Sequence, residues 1–123
     1  MESDLNKISP DKEQIYKQSK SIVIKVGSSL LVEDKFGAIK KEWFASFIED
    51  VIDLRKQGKT VIIVSSGAIN LGRKILNLND NELTLEQEQA AASVGQIELS
   101  KEYQEHLKFK GFICSQVLIT LDD

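Results

Sequence analysis

The sequence predicts an α/β fold on a mainly parallel sheet, and three observations predict it. Two runs rich in β-branched residues, SIVIKV at 21–26 and TVIIVS at 60–65, lack the clean apolar–polar alternation of a strand with one wet face. Such runs belong to strands covered on both faces, as in a parallel sheet. Between them, Trp43, Phe44, Phe47, Ile48, Val51, Ile52 and Leu54 recur at helical spacing over residues 41–57. Strand, helix and strand together make a βαβ unit, right-handed by steric rule.

Taken in order, residues 1–20 contain the only proline, Pro10, many charges and no steady periodicity. They read as an N-terminal tail with one helical turn around residues 14–18, outside the core. A single domain of residues 21–123 follows. Its first helix has Gly58 placed to close it in a left-handed cap. After the second strand, Ser65, Ser66 and Gly67 form a turn before Ala68 and Ile69 open another helix. Thr84 and Gln87 have the spacing of a capping box for a long helix running to residue 109, before Gly111. FICSQVLIT, residues 112–120, reads as a third strand. A parallel sheet needs helices on both faces, and three strands ending at Asp123 read as a domain cut short.

Composition narrows the function classes. The chain has 123 residues, 41% hydrophobic and 28% charged, close to soluble globular averages. A net charge of −3 gives no electrostatic footprint for nucleic acid, so no nucleic-acid partner is expected. Cys114 lacks a partner for an internal disulfide and sits in an apolar run, where it reads as a small buried hydrophobe. The apolar runs are far shorter than the ~20 residues a membrane span needs, and the acidic, polar start is unlike a signal peptide. A cytoplasmic protein without membrane contact is expected.

The chemistry starts at Lys25, a lysine inside an otherwise apolar strand. Two readings stand: it snorkels from a sheet edge, or it projects into the crevice at the strand's carboxyl end, where α/β proteins bind ligands. Gly27 would let the backbone turn tightly, while Ser28 and Ser29 supply hydroxyls and free N–H groups for an anion. VIIVSSGAINLG, residues 61–72, repeats the design with Ser65, Ser66 and Gly67 ahead of a helix. Side by side, the two strand ends would aim backbone N–H groups at one place, a way to hold phosphate or carboxylate without many cations. Neither loop has the G-x-x-x-x-G-K-[ST] or G-x-G-x-x-G pattern, which disfavours a Walker-type NTPase and a dinucleotide dehydrogenase. His106, on the charged stretch KEYQEHLKFK, reads as a solvated helical histidine without a role. In AAASVGQ, residues 90–96, Gly95 interrupts a helix. Close approach of another backbone or a bound group would account for it, and so would simple helix–helix packing.

Together, IVIKVGSSLL, VIIVSSGAINLG, AAASVGQ and SQVLIT resemble the amino acid kinase family, and VSSGAI resembles its glutamate-phosphorylating branch. The resemblance covers about residues 20–123, the amino-terminal half of a kinase domain. It implies a partial three-layer αβα sandwich. It also implies transfer of the ATP γ-phosphoryl group to the side-chain carboxylate of L-glutamate, the first step of proline biosynthesis. Lys25 matches the family's first-strand lysine and would neutralise charge on the ATP phosphates during transfer, with Gly27 and Ser28 lining the phosphate path. Ser66, Gly67 and Ala68 match the loop that holds glutamate near its reacting carboxylate. Magnesium is expected with ATP, although the chain shows no metal-ligand set of its own. The rest of the site lies in the family's second half, so a homo-oligomer or a separately encoded second half is the expected partner. The alternative is a catalytically inactive truncated remnant that binds a ligand or self-associates.

Overall fold

The computed structural model describes residues 10–33, 37–78 and 82–117. Its elements run α1 (Pro10–Gln18), β1 (Ser21–Val26), α2 (Ser28–Leu31), α3 (Lys41–Lys56), β2 (Thr60–Ser65), α4 (Ala68–Ile75) and α5 (Leu85–Phe109). The strands pair in parallel, with Ser21 opposite Thr60 and Val26 opposite Ser65. The α/β class, the parallel sheet and the βαβ unit expected from sequence are all present.

Local chemistry fixes the helix ends. Gly58, at φ +83°, lies beyond the last turn of α3, where its N–H donates to the Arg55 carbonyl and that of Lys59 donates to Leu54. Gly111, at φ +87°, does the same for α5, with Phe112 donating back to Leu107. Both are Schellman ends that satisfy otherwise orphaned carbonyls. Asn77, at φ +56°, takes the glycine's place after α4. At the start of α5 the Thr84 hydroxyl accepts from the Gln87 N–H at 3.2 Å, and the Gln87 side chain accepts from the Thr84 N–H at 2.9 Å. This is the capping box read from the sequence.

Strand alternation sorts the side chains by face. Ile24, Val26, Val61 and Ile63 join the core, where α3 and α5 bring Phe44, Ile48, Val51, Leu99, Tyr103 and Leu107. The opposite side carries Val23, Ile62 and Val64, which are 64%, 50% and 50% exposed. Cover on both faces, as the apolar strands predict, is therefore realised on one face among the described residues.

Three further expectations are corrected. The tail holds a nine-residue helix, α1, where a single turn was expected. It ends where the Lys59 ammonium donates to the carbonyls of Tyr16 and Ser19 at 2.8 and 2.7 Å, supplying the positive charge a helix carboxyl end favours. Residues 112–117 form no strand, and the rest of FICSQVLIT lies outside the described residues. Phe112 and Cys114 still pack on the core, while Ile113 and Val117 point to solvent. The alternation of a strand is thus kept over residues 112–115 without a ladder to β2, and a groove of about 850 Å³ is lined by both segments. His106 is partly buried, its ring edge-on to Phe44 at 4.9 Å, and so is not fully solvated. Cys114 packs on the core but is only half-buried, less enclosed than the buried hydrophobe expected, and burial pushes its thiol pKa up.

Candidate functional site

Parallel pairing puts the carboxyl ends of β1 and β2 next to each other, so the two serine loops emerge at one end of the sheet. The Ser66 N–H donates to the Val26 carbonyl at 3.1 Å, tying the second loop to the end of the first strand. Gly67 caps α4 in the left-handed region at φ +111°. A Cβ there would stand 2.9 Å from Val32 Cγ2 and 3.6 Å from Ser28 Cα. Glycine at 67 is therefore required twice, by backbone conformation and by the closeness of the first loop.

Gly27 behaves differently from the sequence expectation. It lies at φ −74° and ψ 155°, an extended conformation open to any residue, and a Cβ would meet nothing within 4 Å. The tight turn assigned to it is absent. What its missing side chain leaves is open space beside the backbone, between Lys25 and Ser28.

Lys25 sits opposite Val64 on the open face of the sheet, one residue before the end of β1. It is exposed and makes no hydrogen bond or ion pair among the described residues. Ser28 is partly buried as the first residue of α2, while Ser66 is exposed, its hydroxyl 3.4 Å from the Val26 carbonyl oxygen. Ala68 lies at the contact of α4 with α5: a Cβ on Gly95 would collide with the Ala68 carbonyl, and one on Gly72 with the Ala91 carbonyl. Gly95 thus serves close backbone packing, the plainer of its two sequence readings.

The structure therefore gathers Gly27, Ser28, Ser66, Gly67 and Ala68 at one end of the sheet. Lys25 is placed there by strand register alone. Two residues of this region were missed in the sequence. The Lys40 ammonium donates to the Ser29 carbonyl at 2.6 Å, adding a second cation beside the first loop. Tyr103 packs edge-on to Phe44, and its hydroxyl lies 3.0 Å from Ser65 Oγ. A signal for Tyr103 existed: Ala91, Gly95, Leu99, Tyr103 and Leu107, all buried, recur every four residues. Burial holds the Tyr103 phenol above its ordinary pKa, partly countered by the bond to Ser65.

A groove of about 780 Å³ opens beside the second loop, lined by Ala68, Gln89, Ser93, Gln96 and Lys101 among others. No group of three or more His, Cys, Asp or Glu that could hold a metal occurs among the described residues. The site offers backbone donors, hydroxyls and a lysine, a set suited to phosphate oxygens and to the carboxylate of a small ligand.

Fold and loops together define an α/β protein with a pair of small-residue loops at adjacent strand ends. The chain belongs to the amino acid kinase family, whose sequence profile matches residues 20–123. It is 52% identical over 105 residues to a glutamate 5-kinase of Ruegeria sp. (strain TM1040), an alignment covering 85% of this chain and 28% of that protein. Glutamate 5-kinases of Roseobacter denitrificans and Pelagibacter ubique are 52% and 48% identical, over 83% and 87% of this chain and 27% and 29% of theirs. The chain thus spans little more than a quarter of the length of these curated relatives.

Proposed function

We propose that this chain supplies the amino-terminal part of a glutamate 5-kinase site, in which the γ-phosphoryl group of ATP passes to the side-chain carboxylate of L-glutamate. The observation that carries the reading is the closeness of the two loops: the Ser66 N–H donates to the Val26 carbonyl at 3.1 Å, and a Cβ added at Gly67 would come within 3.6 Å of Ser28, so the phosphate-type loop lies beside the glutamate-type loop. Phosphoryl transfer demands positioning and charge stabilisation more than covalent chemistry from protein groups. Lys25, charged and unpartnered among the described residues, neutralises phosphate oxygens as charge shifts during transfer. Gly27 leaves room for phosphates against the backbone, and Ser28 offers its hydroxyl and N–H. Ser66, Gly67 and Ala68 hold the glutamate carboxylate. Magnesium, bound with ATP, supplies divalent charge compensation. The acyl phosphate formed would feed proline biosynthesis in the cytoplasm. No helix among the described residues is long and apolar enough to cross a membrane.

The test is co-expression with the carboxyl-terminal remainder of a relative such as the Ruegeria enzyme, followed by glutamate-dependent ADP release. Turnover that falls at least 100-fold in Lys25→Ala, on the order expected for a lost transition-state charge contact, supports the reading. A folded complex without turnover, or one indifferent to Lys25, overturns it. A second reading, self-association without catalysis, draws on the exposed Val23, Ile62 and Val64. A chain that sediments as a folded monomer removes it.

A further inference from the structure

We propose that Tyr103 is a positioning residue for the second loop: its hydroxyl bond to Ser65, with Gly95 packed on Ala68, lets α5 hold the loop at both ends. The proposal deepens the kinase reading, since residues 66–68 are the ones assigned there to glutamate.

The core into which Tyr103 projects is otherwise apolar. Tyr103 is 7% exposed, and its cluster partners include Phe44, Ile48, Leu99 and Leu107. Phenylalanine would fill the same volume, and valine or alanine at 65 would continue the apolar pattern of Val61 and Ile63. A buried hydroxyl without a partner is costly, whereas here each hydroxyl satisfies the other at 3.0 Å. The pair therefore adds direction where packing alone would add only volume, because a hydrogen bond fixes distance and angle and an apolar contact does not.

The geometry of α5 makes that direction matter to the loop. Gly95 and Tyr103 are eight residues apart on one helix. That is roughly 12 Å along its axis, shortened because a tyrosine side chain leans toward the helix amino end. From Ser65 to Ala68 the chain has three residues to cover the distance, at most about 11 Å when extended. The loop is thus strung between two points on a rigid helix, with Ser66 N–H bonded to Val26 between them. Releasing Ser65 frees one end of that span and leaves the Gly95 contact in place.

Amide exchange measured by NMR on the full chain tests this without passing through catalysis. In Tyr103→Phe, the Ser66 amide should exchange about fivefold faster, the loss expected for one hydrogen bond, with Ile48 and Val51 of α3 unchanged. Ser65→Ala should give the same local effect, the double variant no more than either single one, and Ser65→Thr, which keeps the hydroxyl, should exchange like the parent. An unchanged Ser66 amide, an equal rise at Ile48 and Val51, or simple additivity of the two variants overturns the proposal. A chain lacking kinase turnover leaves this result standing, and a failed exchange result leaves the kinase reading standing.

Discussion

At the scale of single residues, glycines separate what the fold needs from what a ligand needs. Gly95 and Gly72 are occupied from outside by the backbone of the opposing helix, so an added methyl has no rotamer to escape into. Gly95→Ala should cost about 3 kcal/mol or more, the upper range for overpacking because backbone rather than a side chain must move. Gly27→Ala should cost less than about 0.5 kcal/mol, since its backbone is ordinary and its surroundings are open. If phosphates approach Gly27, that same variant should weaken ATP binding at least tenfold while its denaturation midpoint stays at the parent value. A Gly27→Ala chain that is as destabilised as Gly95→Ala would show that the open space is filled in solution.

At the scale of elements, Lys59 joins α1 to the rest of the chain. Lys59 is 6% exposed, and its ammonium donates to two carbonyls at the end of α1 and stands 4.9 Å over the Tyr16 ring. Hydrogen bonds from a charged donor contribute about 1.5–3 kcal/mol, more than a nine-residue helix gains from its own propensity. Lys59→Met keeps the stem but removes the donor, so α1 should lose protection from exchange while α3 and α5 keep theirs. Equal protection of α1 in both proteins would mean that other contacts hold it. The sequence displays both strands by their apolar β-branched runs, α3 by its period and closing Gly58, and α5 by its capping box and closing Gly111. It displays only one turn of α1, whose carboxyl end is satisfied by a lysine 40 residues away from Ser19. For the same reason residues 112–115 keep a strand's alternation without becoming one: a ladder depends on a neighbour at the right distance, which no local pattern encodes. At the site, the loops were legible as small residues after apolar runs. Tyr103 was not, because a tyrosine in a buried helical stripe looks like packing until its hydroxyl is seen to meet Ser65.

At the scale of the whole molecule, the unresolved balance lies on the open face of the sheet. Parallel sheets are stable with both faces covered, yet Val23, Ile62 and Val64 are half exposed or more beside Lys25. The matched relatives are more than three times the length of the aligned region, which leaves ample chain to supply a covering layer. Burying the remaining exposed area of three such side chains is worth about 1 kcal/mol each, or roughly 100-fold in association constant together. Ile62→Glu places a carboxylate in that layer while leaving the core face untouched. It should leave the melting temperature of the isolated chain within about 2 °C and weaken its association with a relative's carboxyl-terminal remainder at least 100-fold. Surface-plasmon or sedimentation titration of the two polypeptides reads the difference directly. Unchanged affinity would move the interface to the edge of β2 away from β1, unpaired among the described residues, and the groove beside residues 112–117, where the apolar Ile113 and Val117 face outward.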